Sequence, residues 1–338
     1  VPSRPACQES VLGLRTEPID TVRVGIVGLG MRGYSAVDRL TYVPDSKVTA
    51  VCDIEQDRVE RSVALLQKRG LPQVSAFGGE ADSWRGLCES SDVDLVYICT
   101  DWKNHVPIAL YAMECGKHVA IEVPAATTLE EIWALVDMSE KTRRHCMMLE
   151  NCCYGRVEQT LYSMNADGFF GELVQLCGGY CHDLREEISM GLINRHYRHR
   201  NYRSRNCENY PTHELGPLNV LLGIGHSNKF TSLSSFSSKA AGIDTYIKNH
   251  PDRDQTYADG KWAQGDIITT ILTTEFGQIV RLTLDTTLPR FYSRDFAVYG
   301  TKGMFDERTN SVFLDNSDYL INESKLRILK FLFNVFFY

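Results

Sequence analysis

The residues whose types and spacing could carry chemistry begin at Gly28-Leu29-Gly30-Met31-Arg32-Gly33. By itself a glycine triplet of this kind says little. Here the apolar run Val22–Val27 leads straight into it, a helical pattern follows, and Asp53 closes a second apolar run 20 residues after Gly33. That context points to a dinucleotide site. Gly28 permits a tight turn, Gly30 lets the backbone approach a pyrophosphate, and Gly33 lets the helix pack on the sheet with its N-terminus toward the phosphates. Asp53 would accept hydrogen bonds from a ribose diol and repel a 2′-phosphate, so NAD is expected rather than NADP. Two further segments, Trp102-Lys103-Asn104-His105 and Glu122-Val123-Pro124, follow later apolar runs. Ligands of a doubly wound sheet lie off the carboxyl ends of its strands, so both segments should line the cofactor site. Glu150 and Asn151 would reach the nicotinamide end. The plainer alternatives are core or helix-start positions for Trp102 and His105, and a helix cap for Asn151.

The elements that must position these residues follow from hydrophobic spacing. Val22–Val27, Val48–Cys52, Leu95–Cys99, His118–Ile121 and His145–Leu149 are short apolar runs alternating with helical stretches such as Pro107–Cys115 and Leu129–Lys141. Buried strands alternating with helices predict βαβ units, a Rossmann doubly wound parallel sheet covered on both faces. After about Glu150 the pattern changes. Leu173–Tyr180, Phe230–Ser237, Ile267–Phe276, Ile279–Leu288 and Phe296–Val298 are alternating, Thr- and Ser-rich runs, with Glu275-Phe276-Gly277-Gln278 placed as a hairpin turn. The second half is therefore read as an α+β domain with a largely antiparallel sheet. The expected division is an arm over 1–20, an NAD-binding domain over 21–150 and a substrate-binding domain over 151–338, with a cleft between the two domains.

Size and charge narrow the function classes. A chain of 338 residues fits about two domains, and a net charge of −7 lacks the basic surplus that binding nucleic acid requires. Ile328–Tyr338, the longest apolar stretch, is broken by Lys330 and Asn334 and is too short to span a bilayer. Eleven cysteines fall mostly inside predicted strands and helices, as buried thiols do, rather than at spaced loop positions. Those thiols suit a cytoplasmic protein, whereas a start at Val1 is compatible with a signal removed ahead of this numbering. With neither a CxxC pair nor an HExxH motif, no metal site is read, despite Cys181, His182, His196 and His199. The arginine-rich segment Arg195–Arg205 is read as a solvated loop or a clamp for sugar and cofactor.

The Rossmann half, Glu122-Val123-Pro124 and a sheet-bearing second half resemble the glucose-fructose oxidoreductase and inositol dehydrogenase superfamily. Within it, Leu149-Glu150-Asn151-Cys152-Cys153-Tyr154-Gly155, the segment Gly178–Arg185, Tyr210-Pro211-Thr212-His213 and Leu215-Gly216-Pro217 resemble glycoside hydrolase family 109. The resemblance covers about residues 22–305. It implies an NAD-dependent α-N-acetylgalactosaminidase, an exported or periplasmic setting, a glycan or small glycoside as partner, and a homo-oligomer formed through the C-terminal sheet. Val123 stands where the wider superfamily usually carries a catalytic Lys, which disfavours simple dehydrogenation by that Lys. Tyr197, Asn201, Glu208 and Glu214 also depart from the hydrolase pattern.

Hydrolysing a glycoside usually takes two carboxylates, but NAD-dependent glycosidases are an exception. Oxidation at sugar C3 gives a ketone that acidifies C2–H, and loss of that proton expels the C1 substituent. Water then adds at C1 and the ketone is reduced. Given the resemblance, His213 is the candidate base for the C3 hydroxyl and Tyr180, assisted by His182, for the C2 proton. Glu150, Tyr180, Arg198, Tyr210, His213 and Tyr292 would hold hydroxyl and N-acetyl groups. The plain alternative for each Tyr or His is a hydrogen-bonded structural residue. Competing functions are an NAD-dependent sugar dehydrogenase or epimerase, and a non-catalytic NAD- or sugar-binding protein.

Overall fold

The computed structural model describes residues 8–71, 73–191 and 197–315. The start of the arm, Arg195, His196 and the apolar stretch Ile328–Tyr338 lie outside the described residues. The chain divides into two compact units, Val1–Glu150 and Asn151–Tyr338.

In the first unit the order is β1 (Val22–Val27), α1 (Met31–Leu40), β2 (Ser46–Asp53), α2 (Gln56–Lys68), β3 (Ser75–Gly78), α3 (Trp84–Glu89), β4 (Leu95–Ile98), α4 (Trp102–Glu114), β5 (His118–Ile121), α5 (Leu129–Thr142) and β6 (Cys146–Met148). The six strands are all parallel in the order β3-β2-β1-β4-β5-β6, so the chain reverses its direction of travel between β1 and β4, the place where such sheets bind ligands. Alternate strand residues feed two cores. Val24, Ile26, Val48 and Val51 pack with Val37, Val59 and Leu66 of α1 and α2, whereas Val27, Val96, Ile98 and Ile121 pack with Leu87, Val106, Ala109 and Leu135 of α3, α4 and α5. This two-sided burial is why the strands read as apolar runs. α5 opens with a capping box, the Thr128 hydroxyl accepting from Glu131 N at 3.2 Å while the Glu131 carboxylate accepts from Thr128 N at 3.1 Å. The described part of the arm is pinned to the same helix and its end by Gln8 on Asp137 and Arg143 on the Glu9 carbonyl.

α4 begins at Trp102, five residues before the expected Pro107. Proline favours the first position of a helix, yet here it lies inside one. Pro107 sits on the exposed side of α4.

The second unit contains α6 (Arg156–Ala166), β7 (Leu173–Cys181), α7 (Arg185–Ser189), α8 (Tyr197–Ser204), α9 (Thr212–Leu222), β8 (Phe230–Ser237), α10 (Gly242–Lys248), β9 (Ile267–Thr274), β10 (Ile279–Asp285), β11 (Ala297–Gly300), β12 (Gly303–Asp306) and β13 (Ser311–Leu314). Seven described strands form one sheet, β13-β12-β11-β7-β10-β9-β8, antiparallel except where β10 runs parallel to β7. The expected turn joins β9 to β10. Thr274 N donates to Gln278 O at 3.0 Å and Gly277 adopts φ +82°, a left-handed conformation that glycine enters without steric cost. Leu161 of α6 and Leu218, Leu221 and Leu222 of α9 pack on Leu176, Leu272, Val280, Leu282 and Val298 to form the core of this unit.

Candidate active site

The first unit builds a phosphate cradle at the end of β1. Gly28 has φ +91°, and a Cβ there would lie 2.7 Å from the Cys99 carbonyl. A Cβ on Gly33 would lie 1.8 Å from the Gly28 oxygen, so α1 can begin this close to the turn only with glycine. At Gly30 a Cβ meets nothing nearer than the Arg58 guanidinium at 3.8 Å, leaving backbone open to a ligand. Met31 and Arg32 are exposed beside it. The described residues thus fit a dinucleotide pyrophosphate. Gly33→Ala should push the start of α1 away from Gly28 and weaken NAD binding at least about tenfold, a cost of ~1–3 kcal/mol for overpacking. Unaltered affinity by calorimetry would contradict that cradle.

Asp53 ends β2 as expected and is buried, but its carboxylate already works inside the chain. It accepts from Leu29 N at 2.7 Å and Glu55 N at 2.9 Å, and the Arg58 guanidinium lies 3.7 Å away. A carboxylate offers about four lone-pair sites, so two remain for a diol. Glu122 meets Arg32 at 3.4 Å and accepts from the Tyr97 hydroxyl at 2.9 Å, which ties it to the glycine turn. Val123 is buried, so an apolar side chain occupies that position.

The segment Trp102–His105 forms the first turn of α4. Trp102 and His105 are buried, whereas Lys103 and Asn104 are exposed and lean on Asp101, the residue preceding the helix. Both His105 ring nitrogens face carbonyls, Pro124 O at 2.8 Å and Thr100 O at 3.1 Å, and burial lowers its pKa. His105 therefore ties the carbonyls of Thr100 and Pro124 together at the start of α4. Glu150 is buried just past β6, and Asn151 is exposed at the head of a short 3-10 turn, Asn151–Tyr154.

The second unit brings six of the candidates together. β7 supplies Tyr180, with His182 just beyond it; α8 supplies Arg198; α9 supplies His213 in its first turn, with Tyr210 before it; the segment between β10 and β11 supplies Tyr292. The Tyr180 ring lies 4.7 Å from Tyr210, 5.5 Å from His213 and 6.0 Å from His182, and Tyr210 lies 5.0 Å from His213. Tyr292 meets His182 edge-on at 5.3 Å. The Arg198 guanidinium stands over Tyr210 at 4.6 Å and Tyr180 at 5.6 Å, and contacts Glu187 at 3.1 Å. Burial pushes the Tyr180 phenol up while Arg198 pulls it back. Burial and the same guanidinium hold His182 below its usual pKa, so it is neutral at pH 7. Burial also raises Tyr292, to about 12.

Two of the departures from the family pattern, Glu208 and Glu214, lie beside this cluster. Glu214, 1% exposed, packs its Cβ where a side chain on Gly178 would go, 2.6 Å from that position. Glu208, beside the Tyr210 amide, has its carboxyl pushed up to about 8 by burial. The folded state then holds a proton that the unfolded chain releases near its ordinary value of about 4.5. Stability should fall as pH rises from about 4.5 to about 8, and Glu208→Gln should remove that slope. Urea titrations of both proteins across that range check it; parallel curves would contradict it.

Residues 154–326 match the family model described as glycosyl hydrolase 109, C-terminal domain, and residues 22–150 match the oxidoreductase family, NAD-binding Rossmann fold. The chain is 43% identical over 304 residues to glycosyl hydrolase family 109 protein 1 of Bacteroides fragilis, covering 90% of this chain and 64% of that protein. It is 41% identical over 300 residues to an alpha-N-acetylgalactosaminidase of Bacteroides fragilis, covering 88% of this chain and 70% of that protein. In fold it is similar to myo-inositol dehydrogenase from Lactobacillus casei in complex with NAD(H) and myo-inositol, with a TM-score of 0.64, 19% identity, and coverage of 88% of this chain and 74% of that one.

Proposed function

The chain belongs to glycosyl hydrolase family 109, and from that premise we propose that it removes terminal α-N-acetylgalactosamine by oxidation, elimination, addition and reduction. Its first unit is an NAD-binding Rossmann fold. NAD, when bound there, supplies the oxidation at C3 and the reduction that closes the cycle. Glycine backbone at Gly28, Gly30 and Gly33 would hold the pyrophosphate, with Asp53 toward the ribose. His213 accepts the C3 hydroxyl proton. Tyr180 takes the C2 proton once C3 is a ketone, its own phenol proton passing first to neutral His182, while Arg198, over its ring, offsets part of the burial that disfavours the phenolate. Breaking C2–H expels the C1 oxygen as the aglycone, which takes up the proton released as water adds at C1; Tyr180 returns a proton to C2, and His213 returns its proton to the C3 oxygen on reduction. Glu150, Tyr210 and Tyr292 orient hydroxyl and N-acetyl groups.

The observation that carries this reading is the convergence of Tyr180, His182, Arg198, Tyr210, His213 and Tyr292 within one unit. A proton acceptor for C3–OH and a second for C2–H need to be this close to act on adjacent sugar carbons. Incubation with para-nitrophenyl α-N-acetylgalactosaminide and NAD, following nitrophenol and NADH absorbance together, tests it. Nitrophenol without net NADH is expected. Net NADH would indicate a sugar dehydrogenase, and neither signal a binding protein.

We also propose pairing of copies through the second sheet. β8 lies at its edge with Leu233 and Phe236 exposed at 64% and 67%. Sedimentation as a monomer would rule this out.

A further inference from the structure

We infer that Glu307 is a positioning residue for the sugar site, acting through Tyr292; the inference rests on the placement of Tyr292 in the proposed function. Tyr292 lies on the strap between Asp285, the last residue of β10, and Ala297, the first of β11. This strap meets β7 through one bridge, in which Ser293 and Cys181 exchange backbone hydrogen bonds at 3.0 and 3.1 Å, and through the Arg294 carbonyl, which accepts from Gly179 N. Tyr292 is 54% exposed, so burial alone does not fix its ring. Its direction depends on how the backbone beside it is held.

One carboxylate does most of that holding. Glu307, just past β12, accepts from Arg294 N at 3.0 Å, from Phe296 N at 3.0 Å and from the Ser293 hydroxyl at 3.1 Å. The intervening amide, Asp295 N, donates to that same Ser293 hydroxyl oxygen at 2.9 Å. Glu307 N in turn donates to Phe296 O at 2.9 Å, closing the clasp. Three consecutive amides, Arg294 to Phe296, are thus satisfied directly or at one remove by a single side chain. Asp295 adopts φ +47°, a left-handed conformation that a non-glycine residue keeps only where its surroundings enforce it. The clasp supplies that enforcement.

The other anchors of the strap do different work. Arg290 binds Asp285 at 2.6 Å at its start, the Arg294 side chain pairs with Glu158, the Arg294 carbonyl accepts from Gly179 N, and Arg281 meets the Asp295 carboxylate at 3.2 Å; none of these takes an amide of residues 293–296. Charge-assisted hydrogen bonds to a carboxylate are about twice as strong as neutral ones, so Glu307 is the chief restraint on the amides of Arg294 and Phe296, just beyond the Ser293–Cys181 bridge. With it in place, Tyr292 stays edge-on to His182, which neighbours Tyr180.

The test uses the full chain loaded with NAD and para-nitrophenyl α-N-acetylgalactosaminide as the probe. Glu307→Ala should raise KM about tenfold or more and leave kcat within about threefold, because the lost restraint acts on sugar positioning. Glu307→Gln, which keeps an acceptor oxygen, should recover most of the loss and serves if Glu307→Ala does not fold. In a Tyr292→Ala background the same substitution should change KM less than about twofold, since a residue acting through Tyr292 has nothing left to act on. Equal KM effects in both backgrounds, or a lowered melting temperature with KM unchanged, would overturn the inference. Hydrogen exchange at the Arg294 and Phe296 amides needs no substrate and should accelerate about tenfold in Glu307→Ala; unchanged protection would overturn it too. A wild-type chain that cleaves nothing would defeat the functional reading and with it the sugar-site role, while exchange would still decide whether Glu307 holds the strap.

Discussion

His213→Ala is expected to eliminate even a single-turnover NADH signal while NAD stays bound, whereas Tyr180→Phe should let reduced cofactor accumulate and release little aglycone. The two rings are only 5.5 Å apart, yet they would act on protons of adjacent carbons and at different steps. His213 would act first, taking the hydroxyl proton without which C3 cannot become a ketone. Tyr180 would act next, and its loss should strand the oxidised sugar. Removing a general base costs about a hundred- to ten-thousand-fold, beyond what loss of a peripheral contact causes. Neither residue belongs to the glycine turn, so NAD affinity is the internal control. Stopped-flow absorbance at the NADH band alongside nitrophenol release gives both readouts. The reverse pattern would exchange the two roles, and full activity in both variants would reduce both residues to scaffold.

Glu158→Ala should be the most destabilising single change named for the second unit. Glu158 of α6 and Arg294 of the strap form an ion pair with side chains only 5% and 11% exposed. Removing one partner leaves a buried, uncompensated charge, which typically costs about 3–5 kcal/mol. For a unit of this size that is a fall of ~10 °C in melting temperature. Replacing both partners with methionine should recover most of the loss, because the charge that suffers is then gone as well. Calorimetry of the two variants beside the unaltered protein checks it, and a loss under about 1 kcal/mol in Glu158→Ala would mean that water reaches Arg294.

What was legible in the sequence was what local pattern encodes. The parallel sheet showed through because strands buried on two faces read as apolar runs, and the β9–β10 hairpin showed through its Gly277 turn. β3, β12 and β13 were missed; each has four residues, carries mainly half-exposed side chains and offers too few positions for a period to register. α9 was hidden by Gly216 and Pro217 in its interior, which a sequence reading treats as breakers. Its packing against Gly178 of β7 keeps it helical regardless. In the candidate site, Tyr180, Tyr210 and His213 come from segments with no common spacing, so only the family resemblance linked them before the fold did. The second duty of Asp53, holding the Leu29 and Glu55 amides, and the clasp at Glu307 leave no local pattern at all. They arise where a turn meets a distant backbone, and spacing along a chain does not record that.

The central claim is that the glycosidic bond breaks by elimination after oxidation at C3, and the position of the C2 hydrogen tests it most directly. The protein, loaded with NAD, is given an α-N-acetylgalactosaminide in deuterated water, and the released sugar is examined by proton NMR. Elimination requires C2–H to break, so the account predicts deuterium at C2 together with dependence of cleavage on NAD. Release of a sugar that retains protium at C2, at a rate indifferent to NAD, would contradict the account, because direct displacement by carboxylates leaves that hydrogen in place.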